Sequence, residues 1–158
     1  MTGARVGQGF DVHPWSDEPD RPLVLGGVVV PGERGLAGHS DADVVAHAVA
    51  DALLGAAGLG DIGTHFPDTD SRWQGADSLS LLAHVVSLVQ AEGWSIGNVD
   101  TTVVLEAPKL APHKAAMEKR LAGVVGAAVS VKAKRAEGLG ALGRGEGVAC
   151  LAVALLFR

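Results

Sequence analysis

The chain has 158 residues, a net charge of −5 from 13 basic and 18 acidic residues, and a composition that is 47% hydrophobic. Binding to a nucleic-acid backbone needs clustered lysines and arginines, and because the basic residues here are scattered, a nucleic-acid partner is excluded. The longest uncharged apolar stretch is about ten residues, well short of the ~20 of a membrane helix. The length therefore predicts one domain, over residues 1–158, and the lack of a longer apolar stretch predicts that this domain does not enter a membrane.

Cysteine and aromatic content narrow the class further. The single Cys150 lies in an apolar run, where a thiol behaves as a small buried hydrophobe, and it leaves no disulfide within the chain. The first residues, Met1 to Val6, lack the apolar core of a signal peptide, so a cytoplasmic location is expected. With 4% aromatic residues and 22 glycines, the core must consist of Val, Leu and Ala held by close backbone approaches.

Two β-strands are predicted at the start of the chain, over residues 5–12 and 23–30, and the turn-rich segment 14–22 between them favours a hairpin-like pair. The first helix is predicted over 43–57, because its valines, alanines and leucine recur every three or four positions. Asp41 or Asp43 lies near the start of this helix, and Gly58 or Gly60 stops it.

The second half of the chain alternates between helices and strands. A single helix is bracketed by Asp77 as a cap and Gly93 as a stop. The predicted order β-β-α-α-β-α-β-β describes an α/β (α+β) fold, a single-layer mixed β-sheet with helices packed on one face. The later elements are that helix over 78–92, a strand over 99–105, a helix over 112–125, and strands over 128–133 and 148–157.

Two segments carry candidate metal ligands. Asp11 and His13 lie two positions apart in the first strand, so their side chains point to one face, although such a pair alone more often meets water. Asp43, His47 and Asp51 are spaced four residues apart along the first helix, where a carboxylate one turn from a histidine can hold its ring in one tautomer. A solvated helix face has the same pattern. Two histidines and one carboxylate would suit zinc with an open fourth position, if the fold brings them together.

Two loops are rich in functional residue types. Residues 60–70 combine turn formers with carboxylates between two helices, which describes either a functional loop or a helix cap followed by a Pro-Asp turn. Residues 137–147 contain a G-x-G-x-x-G match, but a strand pattern follows it, whereas a dinucleotide site needs a helix there. These glycines are interpreted as a turn near Arg144 and Glu146. No ligand role is assigned to His65, His84 or His113.

Six collinear segments resemble the 2-C-methyl-D-erythritol 2,4-cyclodiphosphate synthases, and the resemblance covers nearly the whole chain in order. The segments are GFDVH (9–13), HSDADVVAH (39–47), DALLGAAGLGDIG (51–63), FPDTD (66–70), APKL (107–110) and GRGEG (143–147). The family converts 4-diphosphocytidyl-2-C-methyl-D-erythritol 2-phosphate to the cyclic diphosphate and CMP in the non-mevalonate isoprenoid pathway. The resemblance implies the same lyase-type phosphoryl transfer, in a homotrimer with active sites between subunits.

The resemblance also implies a site. Asp11, His13 and His47 would bind Zn²⁺ and Glu137 would bind Mg²⁺ or Mn²⁺ with the substrate diphosphate, and Asp11 and His13 would also contact substrate. His39, Lys134 and Arg135 would be catalytic, and Arg144 would lie near a central cavity of the trimer. The other substrate contacts would be His39 and Ser40 on a flexible loop; Asp61, Ile62, Gly63, Phe66, Pro67, Asp68, Thr69 and Asp70 around the methylerythritol; Leu105, Glu106, Ala107, Pro108, Lys109, Leu110 and Ala111 around the cytosine; and Lys134, Arg135, Ala136, Glu137, Ala141 and Arg144.

The chain departs from the family at residues 132–137. The family usually has Lys-Ala-Thr-Thr-Thr-Glu, with threonines that touch phosphate, whereas this chain reads KAKRAE. Strand alternation would put Arg135 on the side of Glu137, so Arg135 is predicted to contact phosphate in place of a threonine. Pairing of Arg135 with Glu137, or exposure to solvent, are the alternatives. Two other functions also stay open: a zinc phosphohydrolase, and a non-catalytic trimeric module stabilised by zinc.

Overall fold

The computed structural model describes residues 3–158, so the first two residues of the N-terminal segment considered above, Met1 and Thr2, lie outside the described part. Within residues 3–158, helices and strands follow one another closely, with a single 3-10 turn at Ser71–Trp73. In chain order they are β1 (Ala4–Pro14), β2 (Leu23–Leu25), β3 (Val28–Val30), α1 (Val44–Ala57), α2 (Ile62–His65), α3 (Ser78–Ala91), β4 (Ser95–Val104), α4 (Lys114–Val125), β5 (Ala128–Lys134), α5 (Gly140–Gly143) and β6 (Gly147–Phe157).

Four strands form the main sheet, in the order β1-β6-β4-β5. β4 and β5 run parallel, joined by α4 as a crossover, and the other two pairs are antiparallel. The predicted mixed sheet is confirmed. The long strands were predicted within a few residues, because their alternating burial is readable in the sequence.

The prediction for residues 23–30 was wrong. This segment is not one strand paired with β1; it turns at Gly26 and Gly27, both with positive φ, to form a separate two-stranded sheet of β2 and β3. The continuous apolar run concealed a two-residue Gly-Gly hairpin turn. The predicted element order therefore lacked one strand, and it also lacked the one-turn helices α2 and α5.

The helices cover one face of the main sheet. α1 packs on β1 and β6, and its long apolar surface is buried. From Cys150 to the end of β6 buried and exposed residues alternate, and Cys150 faces the core as predicted. The opposite face of β1 and β6 carries large apolar side chains that are 37% to 68% exposed: Val6, Phe10, Val12, Leu151, Val153, Leu155 and Phe157. We call this the open apolar face. Across residues 3–158, no helix is both long enough and apolar enough to cross a membrane.

Candidate functional site

Three ligand-type side chains converge where β1 meets α1. Asp11 Oδ2 lies 2.9 Å from His13 Nε2 and 2.9 Å from His47 Nδ1, and these two ring nitrogens are 3.3 Å apart. The two-residue period of β1 turns Asp11 and His13 toward the helix, as the sequence predicted. α1 supplies His47 from its first turns, 9% exposed. The fold therefore gathers ligands from segments more than thirty residues apart.

The position of His47 depends on how α1 begins. Asp43 caps the helix, accepting hydrogen bonds from the backbone of Val45 and Ala46 at 3.1 Å each. The same carboxylate accepts from the backbone of Gly26 (2.9 Å) and Gly27 (2.7 Å), which ties the helix to the β2–β3 turn. Of the two residues predicted near the helix start, Asp41 and Asp43, the cap is Asp43.

The predicted polar stripe along α1 does not orient His47. Asp43 is fully buried in its capping role, and Asp51 accepts a hydrogen bond from the backbone of Ile62 at 2.7 Å. The ring is instead contacted at Nε2 by the Ser78 hydroxyl, at 2.8 Å, and by that of Ser40, at 3.1 Å. Spacing along one helix could not reveal Ser78, which belongs to α3.

Both imidazole rings present one nitrogen to Asp11. His13 Nδ1 donates a hydrogen bond to the carbonyl oxygen of Ala37 at 2.8 Å, so Nε2 is the nitrogen available to a metal ion, and without an ion Nε2 hydrogen-bonds with Asp11. Burial would raise the pKa of Asp11, but hydrogen bonds with His13 and His47 outweigh it and lower that pKa to about 2. Burial would lower the pKa of His13, but Asp11 holds it above its usual value. Asp11 is thus an ionised ligand at neutral pH.

The three ligand atoms fit a tetrahedral metal ion. Metal–ligand bonds of 2.0–2.1 Å span tetrahedron edges of about 3.3 Å, close to the separations of 2.9, 2.9 and 3.3 Å found here. Two imidazoles with one carboxylate are a donor set that leaves a position open. Asp11, His13 and His47 thus form a candidate metal centre.

A pocket of about 480 Å³ opens beside the metal centre, and we call it the metal pocket. Its wall combines residues that the sequence predicted with others that it missed. Trp73, which meets the Phe66 ring edge-on at 4.9 Å between centroids, was one of the missed residues. The lining is His13, Gly38, His39, Ser40, His47, Ile62, Gly63, Phe66, Pro67, Asp68, Trp73 and Leu81.

The remaining predicted residues of this region flank the pocket. Asp61 caps α2 through the backbone of Thr64 and keeps an exposed carboxylate. Asp70 pairs with Arg72, and its carbonyl oxygen lies 3.2 Å from His39 Nε2. Thr69 is not in the wall.

The loop that carries His39 and Ser40 is held by Arg21, a residue that no sequence motif singles out. Arg21 donates to the carbonyl oxygens of Leu36 (2.5 Å), Gly38 (3.1 Å) and Ser40 (2.5 Å). Arg21 lies in the turn-rich segment before β2, and nothing in that segment indicates that its side chain reaches carbonyl oxygens 15 to 19 residues further along the chain.

A second pocket, of about 270 Å³, lies at the ends of β4 and β5, and we call it the strand-end pocket. Within residues 3–158 it has no lining residue in common with the metal pocket. Ala107 flanks it. Its lining is Leu105, Glu106, Pro108, Lys109, Leu110, Ala111, Ala133, Lys134 and Arg135.

Arg135 does not pair with Glu137. Its Nε and Nη2 donate to Glu106 Oε2, at 3.2 and 3.0 Å, while Glu106 Oε1 accepts from the backbone of Ala136 at 2.7 Å. Glu137 has a positive φ of 54°, so the strand alternation expected beyond Lys134 does not reach it. The interpretation of Arg135 as a partner of Glu137 is therefore wrong.

The glycine-rich segment leads through α5 into β6. α5 is a single turn, so the segment lacks the long helix of a dinucleotide site. Arg144 pairs with Glu146 at 2.8 Å, and Ala141 lies within α5.

The family model of the YgbB family matches residues 4–157 of this chain. The chain is 57% identical, over 157 residues, to the 2-C-methyl-D-erythritol 2,4-cyclodiphosphate synthase of Bordetella petrii, with 98% of this chain and 96% of the relative covered. The enzyme of the same name from Trichlorobacter lovleyi is 53% identical over 155 residues, with 96% and 98% covered.

Two solved structures are also similar. The Plasmodium falciparum IspF CDP complex has a TM-score of 0.85 and 33% identity, covering 99% of this chain and 97% of that chain. The bifunctional IspDF from Campylobacter jejuni has a TM-score of 0.95 and 41% identity, covering 100% of this chain and 43% of that chain.

Proposed function

The chain belongs to the YgbB family, and from this membership we propose that it is a lyase that closes the ring of 2-C-methyl-D-erythritol 2,4-cyclodiphosphate. Its substrate is 4-diphosphocytidyl-2-C-methyl-D-erythritol 2-phosphate, its second product is CMP, and it serves the non-mevalonate isoprenoid pathway in the cytoplasm. The observation that carries the proposal is the metal pocket, which opens directly onto Asp11, His13 and His47.

Asp11, His13 and His47 hold a zinc ion in this proposal, and Glu137 holds Mg²⁺ or Mn²⁺ with the diphosphate. The ions supply Lewis acidity that offsets the negative charge of the phosphoryl oxygens. Asp11 is already ionised, and His13 Nε2 and His47 Nδ1 become ligands by releasing the protons that they share with Asp11 when no ion is bound. The exposed position of Glu137 supports access to a large anionic ligand.

The metal pocket binds the methylerythritol portion of the substrate. Asp61 offers its exposed carboxylate to sugar hydroxyls, and His39 and Ser40 cover the phosphates from the loop that Arg21 holds. The remaining predicted wall residues are Ile62, Gly63, Phe66, Pro67 and Asp68, with Thr69 and Asp70 beside them. Their mixture of apolar surface and few polar groups suits a small branched polyol.

The strand-end pocket binds the cytosine of the substrate, a role supported by a relative whose solved structure holds CDP. The backbone of residues 105–111 supplies polar groups for a base edge. Lys134 and Arg135 bring positive charge to the same pocket, where the diphosphate enters.

The reaction asks little of acid–base groups. In it the 2-phosphate attacks the β-phosphorus and CMP leaves. A phosphate monoester has a second pKa of about 6, so at neutral pH the attacking oxygen needs no general base, and the leaving phosphate is itself a weak base. The residues therefore act by folding a flexible substrate into a ring-closing shape and by balancing its charge.

A homotrimer completes the site in this proposal. The metal pocket and the strand-end pocket have separate walls, so one substrate can span both if they face each other across a subunit boundary. The open apolar face gives each subunit an extended surface to bury, since a large exposed apolar patch marks an interaction site. Arg144 would then lie near the central cavity between the three copies.

Incubation with the cytidine-linked substrate, followed by phosphorus NMR, tests the proposal. A cyclic diphosphate together with CMP is the expected result. Linear phosphate products would identify a zinc phosphohydrolase instead. Bound zinc without turnover would indicate a non-catalytic module in which the ion only stabilises the fold.

A further inference from the structure

Behind His47, on the side away from Asp11, lies a buried chain of hydrogen bonds. Ser78, the first residue of α3 and 1% exposed, places its hydroxyl oxygen 2.8 Å from His47 Nε2. The same hydroxyl forms a short hydrogen bond to the carboxylate of Asp41. Asp41 Oδ2 accepts from the backbone of Ser78 at 3.1 Å, and Oδ1 accepts from that of Asp43 at 3.1 Å. Both carboxylate oxygens of Asp41 are thus held in place by backbone hydrogen bonds.

The direction of each hydrogen bond follows from what the groups can donate. An ionised carboxylate only accepts, so the Ser78 hydroxyl donates its one proton to Asp41. The hydroxyl oxygen then has only lone pairs left for His47, and Nε2 must carry the ring proton. Nδ1 is consequently the nitrogen left to bind a metal ion. It lies 3.3 Å from His13 and 2.9 Å from Asp11, with which it hydrogen-bonds when no ion is bound. Ser40, at 3.1 Å, is a longer second contact of Nε2.

We propose that Ser78, backed by Asp41, is a positioning residue of the metal centre. Ser78 holds His47 in the Nε2–H tautomer and so directs the Nδ1 lone pair at the metal. The negative charge of Asp41 polarises the Ser78 hydroxyl and thereby stabilises the proton on Nε2. His13 has a counterpart, because its Nδ1–H is fixed by the carbonyl oxygen of Ala37. A histidine that binds a metal through one ring nitrogen generally donates the N–H of its other ring nitrogen to such a partner. Loss of that partner lowers metal affinity 10- to 100-fold. This inference rests on the metal site of the proposed function, but not on the reaction.

Zinc affinity, measured by competition with a chromogenic chelator on the full chain, provides the first test. We expect about a 10- to 100-fold loss in Ser78→Ala. Ser87→Ala is the matched control: it lies in the same helix, and its hydroxyl contacts the carbonyl oxygen of His84. This control should retain the native affinity. An affinity of Ser78→Ala within twofold of the native protein would overturn the proposal.

Ring tautomers give a readout that a merely structural serine would not move. In metal-free protein labelled with ¹⁵N-histidine, we expect His47 to carry a proton at Nε2, and to lose it in Ser78→Ala, where only Nδ1, which faces Asp11, keeps a proton. An unchanged His47 tautomer in Ser78→Ala would contradict the assigned role, whatever the stability of the variant.

Asp41→Asn provides an independent arm, because Asp41 acts through Ser78. It should weaken zinc binding less than Ser78→Ala, and the double variant should bind no more weakly than Ser78→Ala alone. Additive losses would contradict the relay. None of these measurements uses the cytidine-linked substrate, so a protein that binds zinc but makes no cyclic diphosphate would end the proposed function and leave this inference standing.

Discussion

Gly9 lies directly against the backbone of Ala48: a Cβ placed on Gly9 would be 1.9 Å from the carbonyl oxygen of Ala48. Gly7 meets Ala52 one helical turn further along in the same way, at 2.0 Å. β1 and α1 therefore approach through two glycines that no other residue can replace without moving the helix. Because His47 precedes Ala48, this approach sets the distance between the helical and the strand-borne ligands.

A methyl group at position 9 should push α1 away from β1. We expect the free energy of unfolding of Gly9→Ala to fall by at least the 1–3 kcal/mol typical of an overpacked core, and we expect the variant to bind zinc more weakly. Denaturant unfolding and zinc analysis measure the two effects. Gly55→Ala is the control, since its Cβ would meet only the carbonyl oxygen of Gln8, at 3.9 Å, and a helical alanine adds roughly 0.5–1 kcal/mol. Native stability in Gly9→Ala would contradict the close packing.

The composition predicted the close packing of β1 on α1, whereas the local sequence pattern did not reveal the β2–β3 hairpin. Many glycines and few aromatic residues predicted close backbone contacts, and Gly7 and Gly9 make them. Helix α1 was predicted to within one residue, because acidic residues at its start and glycines at its end are local signals, although the structure was needed to choose Asp43 over Asp41 and Gly58 over Gly60. The β2–β3 hairpin was missed because its turn, Gly26-Gly27, sits inside an apolar run that resembles one strand.

The metal centre shows where sequence alone stops. Strand period placed Asp11 and His13 on one face, and with His47 they make a two-histidine, one-carboxylate set, but only the family resemblance indicated that the three converge. Ser78 could not be found, since it is 31 residues from His47 in the chain and its neighbours look like an ordinary helix start. Trp73 was missed for a similar reason, because a lone aromatic residue in a turn gives no sign of which wall it will join.

Zinc content should depend on His47. Elemental analysis is expected to find about one zinc per chain, and less in His47→Ala, because three protein ligands are then reduced to two. His113→Ala is a suitable control, since His113 precedes α4 and makes no side-chain cap contact. Equal zinc in the His47→Ala variant and the native protein would remove His47 from the site.

The stability of the metal-free protein should depend on pH through the Asp11–His13 pair. The lowered pKa of Asp11 adds stability above pH 3.8 that is lost as the pH falls toward about 2. The raised pKa of His13 adds stability below pH 6.5 that is lost as the pH rises through its folded value. Thermal unfolding in chelator should therefore show an optimum between these limits, and Asp11→Asn should flatten it. A profile that Asp11→Asn leaves unchanged would contradict the pairing.

Mixed trimers should recover activity if the two pockets of one site come from different subunits. Each of His47→Ala and Ala133→Trp, which fills the strand-end pocket, is expected to be nearly inactive alone. After co-refolding in equal amounts, about a quarter of the sites should combine two intact halves, since each half is intact in one chain of two. Mixing without refolding is the control. A chain that sediments as an active monomer would contradict the shared site.

Glu106 holds Arg135 on the wall of the strand-end pocket, with its side chain 68% exposed. Against the opposing effect of desolvation, hydrogen bonds from Arg135 and the backbone of Ala136 lower the pKa of Glu106, so the pair is ionic at neutral pH. Two guanidinium nitrogens are engaged by Glu106, and Nη1 remains for a further acceptor. If Arg135 contacts phosphate, as predicted, Glu106 is the residue that positions its guanidinium group.

Replacement of Arg135 should reduce kcat/KM for cyclisation. A charge-assisted phosphate contact contributes roughly 1.5–3 kcal/mol, so we expect about a tenfold or greater loss in Arg135→Ala, and a smaller loss in Arg135→Thr, where a hydroxyl remains. Glu106→Gln should fall between them, because the arginine is then held less firmly. Lys119→Ala, on the exposed side of α4, removes one positive charge as a control and should change nothing. Since Arg135 pairs with Glu106, magnesium dependence should match the native protein in Arg135→Ala. Tighter magnesium binding there would mean that Arg135 competes for Glu137 in solution, and unchanged kinetics would make it a surface residue without a role in the reaction.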